Sequence, residues 1–89
     1  MAELSFITFP SIHHLLQFEG VLKENGLKFQ IIPLPAEIRS DCGTCLLVEA
    51  NNLGIILKLA AEHNVPVEGA FPITNQKKLN FYHKLFSVV

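Results

Sequence analysis

In residues 4–11, LSFITFPS, a strand pattern leads directly into the start of a helix. Leu4–Phe9 interleaves apolar residues with the small polar residues Ser5 and Thr8, and we interpret it as a half-buried strand. Pro10 ends that strand, and Ser11 is a suitable N-cap for a helix that continues to Asn25. The stretch therefore predicts a strand, a tight turn and a helix in immediate succession.

Outward from this unit, three more strands and one more helix are predicted. Proline residues end the second strand, because proline cannot donate a hydrogen bond to a β-ladder. An unbroken apolar run, Cys45–Val48, indicates that the third strand is central and covered on both faces. The predicted strands span residues 4–9, 29–32, 44–50 and 67–73, and the predicted helices span residues 11–25 and 51–63.

The element order β-α-β-β-α-β predicts an α+β fold, the ferredoxin-like two-layer sandwich. In this fold two helices cover one face of a four-stranded antiparallel sheet, and the right-handed crossover rule leaves few other arrangements. We assign residues 1–76 to this domain and residues 77–89 to a C-terminal extension. Leu79, Tyr82 and Phe86 recur in the extension at a spacing that predicts a short amphipathic helix.

The extension and the second helix carry more apolar side chains than a two-layer domain buries. Ile55 and Leu59 lie outside the helix stripe that would cover the sheet, and the extension ends in Val88 and Val89. Exposed apolar patches of this kind usually mark an interface. We therefore expect a homodimer or a docked partner protein. The alternative is that the extension folds back over the second helix or over the open face of the sheet.

Composition and charge exclude several classes of protein. The chain has 89 residues, enough for one core, and its 49% hydrophobic content is too high for disorder. No apolar run reaches the roughly 20 residues that span a bilayer, so we expect no membrane partner. The net charge of −1 and a third strand without aromatic or basic residues predict no nucleic-acid partner. An acid at Glu3, where a secretory signal carries basic residues, predicts a cytoplasmic protein.

The chemically distinctive feature is the C-x-x-C pair Cys42-Gly43-Thr44-Cys45, which follows a long proline-bounded loop. Two thiols this close would form only a tiny disulfide loop, so we expect free thiols in a reducing compartment. In an extended chain their Cα atoms lie roughly 10 Å apart with side chains on opposite faces, whereas a disulfide needs about 7 Å. Unless the chain turns at Gly43-Thr44, we predict different roles, with Cys42 exposed on the loop and Cys45 partly buried.

The residues around Cys42 are polar, so we expect this thiol to have no apolar side chain to pack against. Backbone N–H groups and Arg39 would stabilise a thiolate, while Asp41 would oppose it. His13 or His14, in the first turn of the first helix, is a candidate base or proton donor. The four histidines lie far from the C-x-x-C pair in sequence, which leaves a four-cysteine zinc site across a dimer as the one metal alternative. We predict no metal and no cofactor.

Four short motifs occur in order along the chain, from the end of the first strand to this loop. They are Phe9-Pro10-Ser11 with a histidine shortly after it, Glu19, Ile32-Pro33-Leu34-Pro35 and Ser40-Asp41-Cys42-Gly43. In these motifs the chain resembles the selenium/sulfur carrier-like proteins, a family of small bacterial domains. The resemblance covers about residues 4–73, and Pro-x-Pro followed by Ser-x-Cys-Gly within one loop is its most specific part.

The resemblance implies a carrier that holds sulfur or selenium on Cys42 as a persulfide or perselenide. It implies one protein that donates the atom and another that accepts it. A carrier of this kind has no turnover of its own, so we expect a binding protein rather than an enzyme. The loop residues implied in binding are Arg39, Ser40, Gly43, Pro33 and Pro35.

Cys45 is a second thiol that the family pattern does not require, and it leaves two other functions open. One is a dithiol redox switch, in which Cys45 attacks an oxidised or persulfidated Cys42 and releases the product. The other is a non-catalytic interaction domain that scaffolds a larger thiol enzyme. Diverging side chains would argue against the switch, and a fully buried Cys42 would argue against the carrier.

Overall fold

The computed structural model describes residues 3–87, and Met1, Ala2, Val88 and Val89 lie outside the described part. The described residues form four strands and three α-helices, with a 3₁₀ turn at Ala50–Asn52 before the second helix. Within this range no helix is both long and apolar enough to cross a bilayer. The elements are β1 (Leu4–Thr8), α1 (Ile12–Glu24), β2 (Phe29–Pro33), β3 (Thr44–Glu49), α2 (Leu53–Glu62), β4 (Gly69–Pro72) and α3 (Gln76–Phe86).

Local sequence signals place both ends of α1. The Ser11 side chain accepts a hydrogen bond from the His14 backbone N–H at 3.4 Å, as predicted for an N-cap. Gly26, after the helix, has a φ of +66°, a left-handed conformation that glycine adopts without a steric penalty. Asn75 caps α3 in the same way as Ser11 caps α1, because its side-chain oxygen accepts from backbone N–H groups of the first turn.

The sheet has the strand order β2-β3-β1-β4, and every neighbouring pair of strands is antiparallel. β3 is central and buried from Cys45 to Val48, as its apolar run predicts. β1 is buried along its whole length, including Ser5 and Thr8. The prediction of a half-buried first strand is therefore wrong, because helices cover both faces of the sheet at β1.

Two apolar clusters lie on opposite faces of the sheet. Successive residues of a strand point to opposite faces, so Ile7 and Leu46 supply one cluster while Phe6 and Leu47 supply the other. We call them the α1/α2 core and the α3 core after the helices that cover them. The α1/α2 core comprises Ile7, Phe9, Leu15, Phe18, Val21, Leu22, Leu46, Val48, Ile56, Ala60 and Val65, and the α3 core comprises Leu4, Phe6, Ile32, Cys45, Leu47, Ile73, Leu79 and Phe86.

The predicted extension forms α3 and covers the face of the sheet opposite α1 and α2. Leu79 and Phe86 of α3 are buried there, and the Tyr82 ring packs edge-on against Phe6 with ring centroids 5.0 Å apart. The two-layer arrangement and the exposure of these side chains are therefore wrong, and the alternative, in which the extension folds back over the open face of the sheet, is confirmed. Several large apolar side chains on other faces are still exposed, and a homodimer through them stays a prediction.

Candidate functional site

The loop between β2 and β3 carries Cys42 and closes on itself at its base. Pro33 and Thr44 are register partners at the ends of the two strands, and the Leu34 N–H donates to the Gly43 carbonyl at 3.1 Å. Gly43 has a φ of +76°, a conformation that would strain a residue with a side chain. Cys42, next to Gly43, therefore lies at the base of the loop rather than at its tip.

Ser40 connects this loop to the end of β1. Its hydroxyl donates to the Phe9 carbonyl at 3.1 Å and accepts from the Cys42 N–H at 3.3 Å. Phe9 lies between β1 and α1, so one hydroxyl ties the Cys42 backbone to the chain just before the first helix. Ser40, which the sequence predicts as a binding residue, thus fixes the position of the thiol-bearing segment.

The Cys42 side chain is half-buried and packs against the α1/α2 core. Its Sγ lies 3.4 Å from the Thr44 Oγ1. The expectation that Cys42 has no apolar neighbours is wrong, because the Ser40 contact draws the polar loop inward over the core. Cys42 as a residue is nevertheless only half-buried, whereas a site enclosed on all sides could not react with a second protein.

Cys45 is fully buried in the α3 core, on the opposite face of the sheet from Cys42. The sequence predicts only partial burial, and the difference arises because α3 covers the second face of β3. Burial and, to a smaller extent, the negative charge of Cys42 raise the pKa of the Cys45 thiol to about 12. Cys45 is therefore a neutral thiol at physiological pH, and both cysteines are free.

The remaining residues of the predicted binding loop differ in exposure. Arg39 and Pro33 are exposed, whereas Pro35 is buried. Glu37, which the sequence does not single out, forms an ion pair with Lys78 of α3. The hydrogen bond from Lys78 is the main cause that lowers the pKa of the Glu37 carboxyl. The loop is thereby tied to α3 as well as to the end of β1.

The histidines at the start of α1 have partners of their own. His14 Nδ1 lies 2.9 Å from the Ser11 Oγ, so this ring takes part in the N-terminal cap. His13 is exposed, and its ring centroid lies 5.9 Å from that of His14. A proton-transfer role for either stays a prediction. In residues 3–87 no group of three or more His, Cys, Asp or Glu side chains is placed to bind a metal ion.

Sequence reasoning missed Thr44 as a neighbour of the Cys42 thiol. Thr44 is the first residue of β3, whereas Cys42 lies in the turn before that strand, where Gly43 has a φ of +76°. The strand period therefore does not relate the two side chains, and no sequence pattern marks their contact. The Phe9 carbonyl was also missed, and no local pattern marks it because it lies 31 positions from Ser40 along the chain.

The fold and the site together define a small α+β domain that presents one accessible thiol on a loop fixed at two points. The family model described as Putative Se/S carrier protein-like matches residues 5–72. The chain therefore belongs to this family. Searches of curated proteins and of solved structures give no significant match.

Proposed function

We propose that this protein carries a sulfur or selenium atom on Cys42, as a persulfide or perselenide, from a donor protein to an acceptor protein. Membership of the Se/S carrier-like family supports this function. The proposal depends on one observation: Cys42 is half-buried on a loop that is held by side-chain contacts, whereas Cys45 is fully buried. A carrier must present its cargo to two proteins in turn, so it needs an accessible nucleophile and no enclosing substrate pocket.

Loading is an exchange at sulfur that needs no external oxidant. The Cys42 thiolate attacks the outer sulfur of a donor persulfide, a new S–S bond forms on Cys42, and the donor leaves as a thiolate. In release, an acceptor nucleophile attacks the same outer sulfur. The electron pair of the broken S–S bond then returns to the Cys42 Sγ. Selenium follows the same scheme as the outer atom.

The structure supports a dithiol switch through Cys42 and Cys45 less well than a carrier. The two side chains belong to different cores on opposite faces of the sheet, whereas a disulfide needs converging side chains and Cα atoms within about 7 Å. The raised pKa of Cys45 also leaves it as a thiol, while the attacking species in thiol exchange is the thiolate. A resolving role for Cys45 would require the start of β3 to leave the sheet.

The proposal extends to the fold type and the compartment. The strand order β2-β3-β1-β4, with α1 after β1 and α2 after β3, supports a ferredoxin-like topology to which α3 adds a further layer. A carrier persulfide needs a reduced thiol, and free thiols persist in the cytoplasm rather than in oxidising compartments. We therefore place this function in the bacterial cytoplasm.

The test is intact-mass measurement of the full-length chain after incubation with sodium polysulfide. We expect the unmodified protein and Cys45→Ser to gain one sulfur atom and Cys42→Ser to gain none, because the thiolate of Cys42 is the proposed acceptor. Cys45→Ala is a second variant in case a buried hydroxyl unfolds the chain, and circular dichroism checks the fold of each protein. A sulfur gain on Cys42→Ser would refute the assignment. No gain on any folded variant would favour the interaction domain instead.

A further inference from the structure

The Thr44 hydroxyl lies 3.4 Å from the Cys42 sulfur, and its position is set by the sheet rather than by the loop. Thr44 is the first residue of β3, pairs with Pro33 of β2 and is half-buried. A β-branched side chain in a strand has little rotational freedom about χ1. The hydroxyl is therefore held beside the thiol by a rigid element.

We propose that Thr44 donates its O–H to the Cys42 thiolate and thereby promotes release of the cargo. The proposal rests on the carrier function and deepens it. A thiolate sulfur has no proton, so within this pair only the hydroxyl can donate. A hydrogen bond to an ionised acceptor is roughly twice as strong as one between neutral groups. The contact therefore stabilises the ionised form of Cys42 over the protonated form.

This stabilisation acts unequally on the two steps of transfer. In the persulfide the Cys42 Sγ is the inner, uncharged sulfur, and its negative charge returns only when the S–S bond breaks. A thiolate that is stabilised by a hydrogen bond is a better leaving group. As an attacking group it loses only part of its reactivity, because nucleophilicity follows basicity with a coefficient of about 0.4–0.5. Where Cys42 is only partly ionised, the larger thiolate fraction outweighs this loss, so Thr44 accelerates release without slowing loading.

The first measurement needs no cargo. The rate at which iodoacetamide alkylates Cys42 is followed against pH in the full-length chain, from fragment-ion spectra of the peptide that contains Cys42 and Cys45. In Thr44→Val, which keeps the shape but lacks the hydroxyl, we expect alkylation at pH 7 to be about threefold slower, because the thiolate has lost its donor. Thr44→Ser should restore the native value. Thr74→Val, at an exposed threonine between β4 and α3, is the matched control and should change nothing.

The second measurement follows release. The chain is loaded with sodium polysulfide and treated with cyanide, which attacks the outer sulfur, forms thiocyanate and expels Cys42 as a thiolate. We expect thiocyanate to form about fivefold more slowly in Thr44→Val, with recovery in Thr44→Ser, because the leaving thiolate loses its donor. If Thr44→Val does not fold, Thr44→Ala is the second variant that lacks a hydroxyl.

The outcomes separate this assignment from the carrier function. Alkylation profiles and release rates within twofold of the native protein in Thr44→Val would overturn the role of Thr44 while leaving the carrier function intact. A chain that takes up no sulfur would refute the carrier function and the release step with it. In that case a shifted alkylation profile in Thr44→Val would still establish Thr44 as the donor to the Cys42 thiolate.

Discussion

Cys42 and Cys45 are three positions apart in sequence, yet they lie on opposite faces of the sheet, in different surroundings. Cys42 sits at the edge of the α1/α2 core, half-buried and within reach of a hydroxyl. Cys45 lies inside the α3 core with no exposed surface. The comparison shows that burial separates the chemistry of the two thiols, because Cys45 points into the α3 core, against which Leu34 and Ile38 also pack, whereas Cys42 lies at the edge of the other core.

The largest expected effect is a difference in labelling between the two thiols. A thiol with a pKa of about 12 is roughly 10⁻⁴ ionised at pH 8, so the reactive thiolate of Cys45 is scarce even before its burial is considered. We expect iodoacetamide to modify Cys42 at least about 100-fold faster than Cys45 in the native protein. Both cysteines lie on one tryptic peptide, so fragment-ion spectra of that peptide assign the label to either thiol and give both rates in one sample. In denaturant the two rates should converge, and equal rates in the native state would contradict the comparison.

The second prediction tests whether α3 is what protects Cys45. Phe86 is buried in the α3 core, whereas Phe81 on the same helix is 56% exposed, so the two phenylalanines are matched in chemistry and differ in burial. We expect Phe86→Ala to lower the free energy of unfolding by about 3 kcal/mol. Phe81→Ala should change it by less than about 0.5 kcal/mol. Urea unfolding followed by circular dichroism measures both.

The same two variants also test the alkylation rates of the two thiols. Loss of the Phe86 side chain leaves a cavity in the core that contains Cys45, so alkylation of Cys45 should become faster while that of Cys42 stays unchanged. If Phe86→Ala increases the alkylation rates of both thiols equally, the two cores do not open independently. The difference in reactivity between Cys42 and Cys45 would then depend on the stability of the whole fold rather than on α3.

Local sequence signals predicted the parts of this molecule that depend on neighbours in the chain. The Ser11 cap, the Gly26 stop and the central position of β3 follow from residue type and spacing, and the structure confirms them. The sequence also predicted that the two cysteines point to opposite faces unless the chain turns at Gly43-Thr44; they do pack in different cores, although Gly43 adopts a left-handed turn conformation. Each of these features depends on a short range of sequence, where propensity and periodicity are informative.

The features that the sequence did not reveal depend on contacts between distant parts of the chain. The apolar spacing of Leu79 and Phe86 predicted a helix, but only the packed structure shows which surface that helix covers. Cys42 has polar neighbours in sequence, and its burial follows from the Ser40 contact with the Phe9 carbonyl, 31 positions away. The contact between Thr44 and Cys42 is local in sequence, yet it depends on the turn that ends at Gly43, which the strand period does not describe.

The smallest expected effect concerns the two anchors of the loop, one on each side of the sheet. Ser40 binds the Phe9 carbonyl in a partly buried place, whereas the Glu37 and Lys78 side chains of the other anchor are each about half exposed. A partly buried hydrogen bond contributes about 1 kcal/mol, while an exposed ion pair is screened by water and often contributes nothing measurable. The Ser40 anchor should therefore dominate the position of Cys42.

Hydrogen exchange of the Cys42 amide, whose N–H donates to Ser40, measures this difference. We expect Ser40→Ala to accelerate exchange at Cys42 about fivefold and Glu37→Gln to leave it unchanged, because only the first variant removes the acceptor of that N–H and frees the loop from β1. An amide in the middle of α1, such as that of Phe18, is the internal reference for global opening. Faster exchange in Glu37→Gln than in Ser40→Ala would mean that α3 holds the thiol loop, and that the two faces of the sheet are coupled through it.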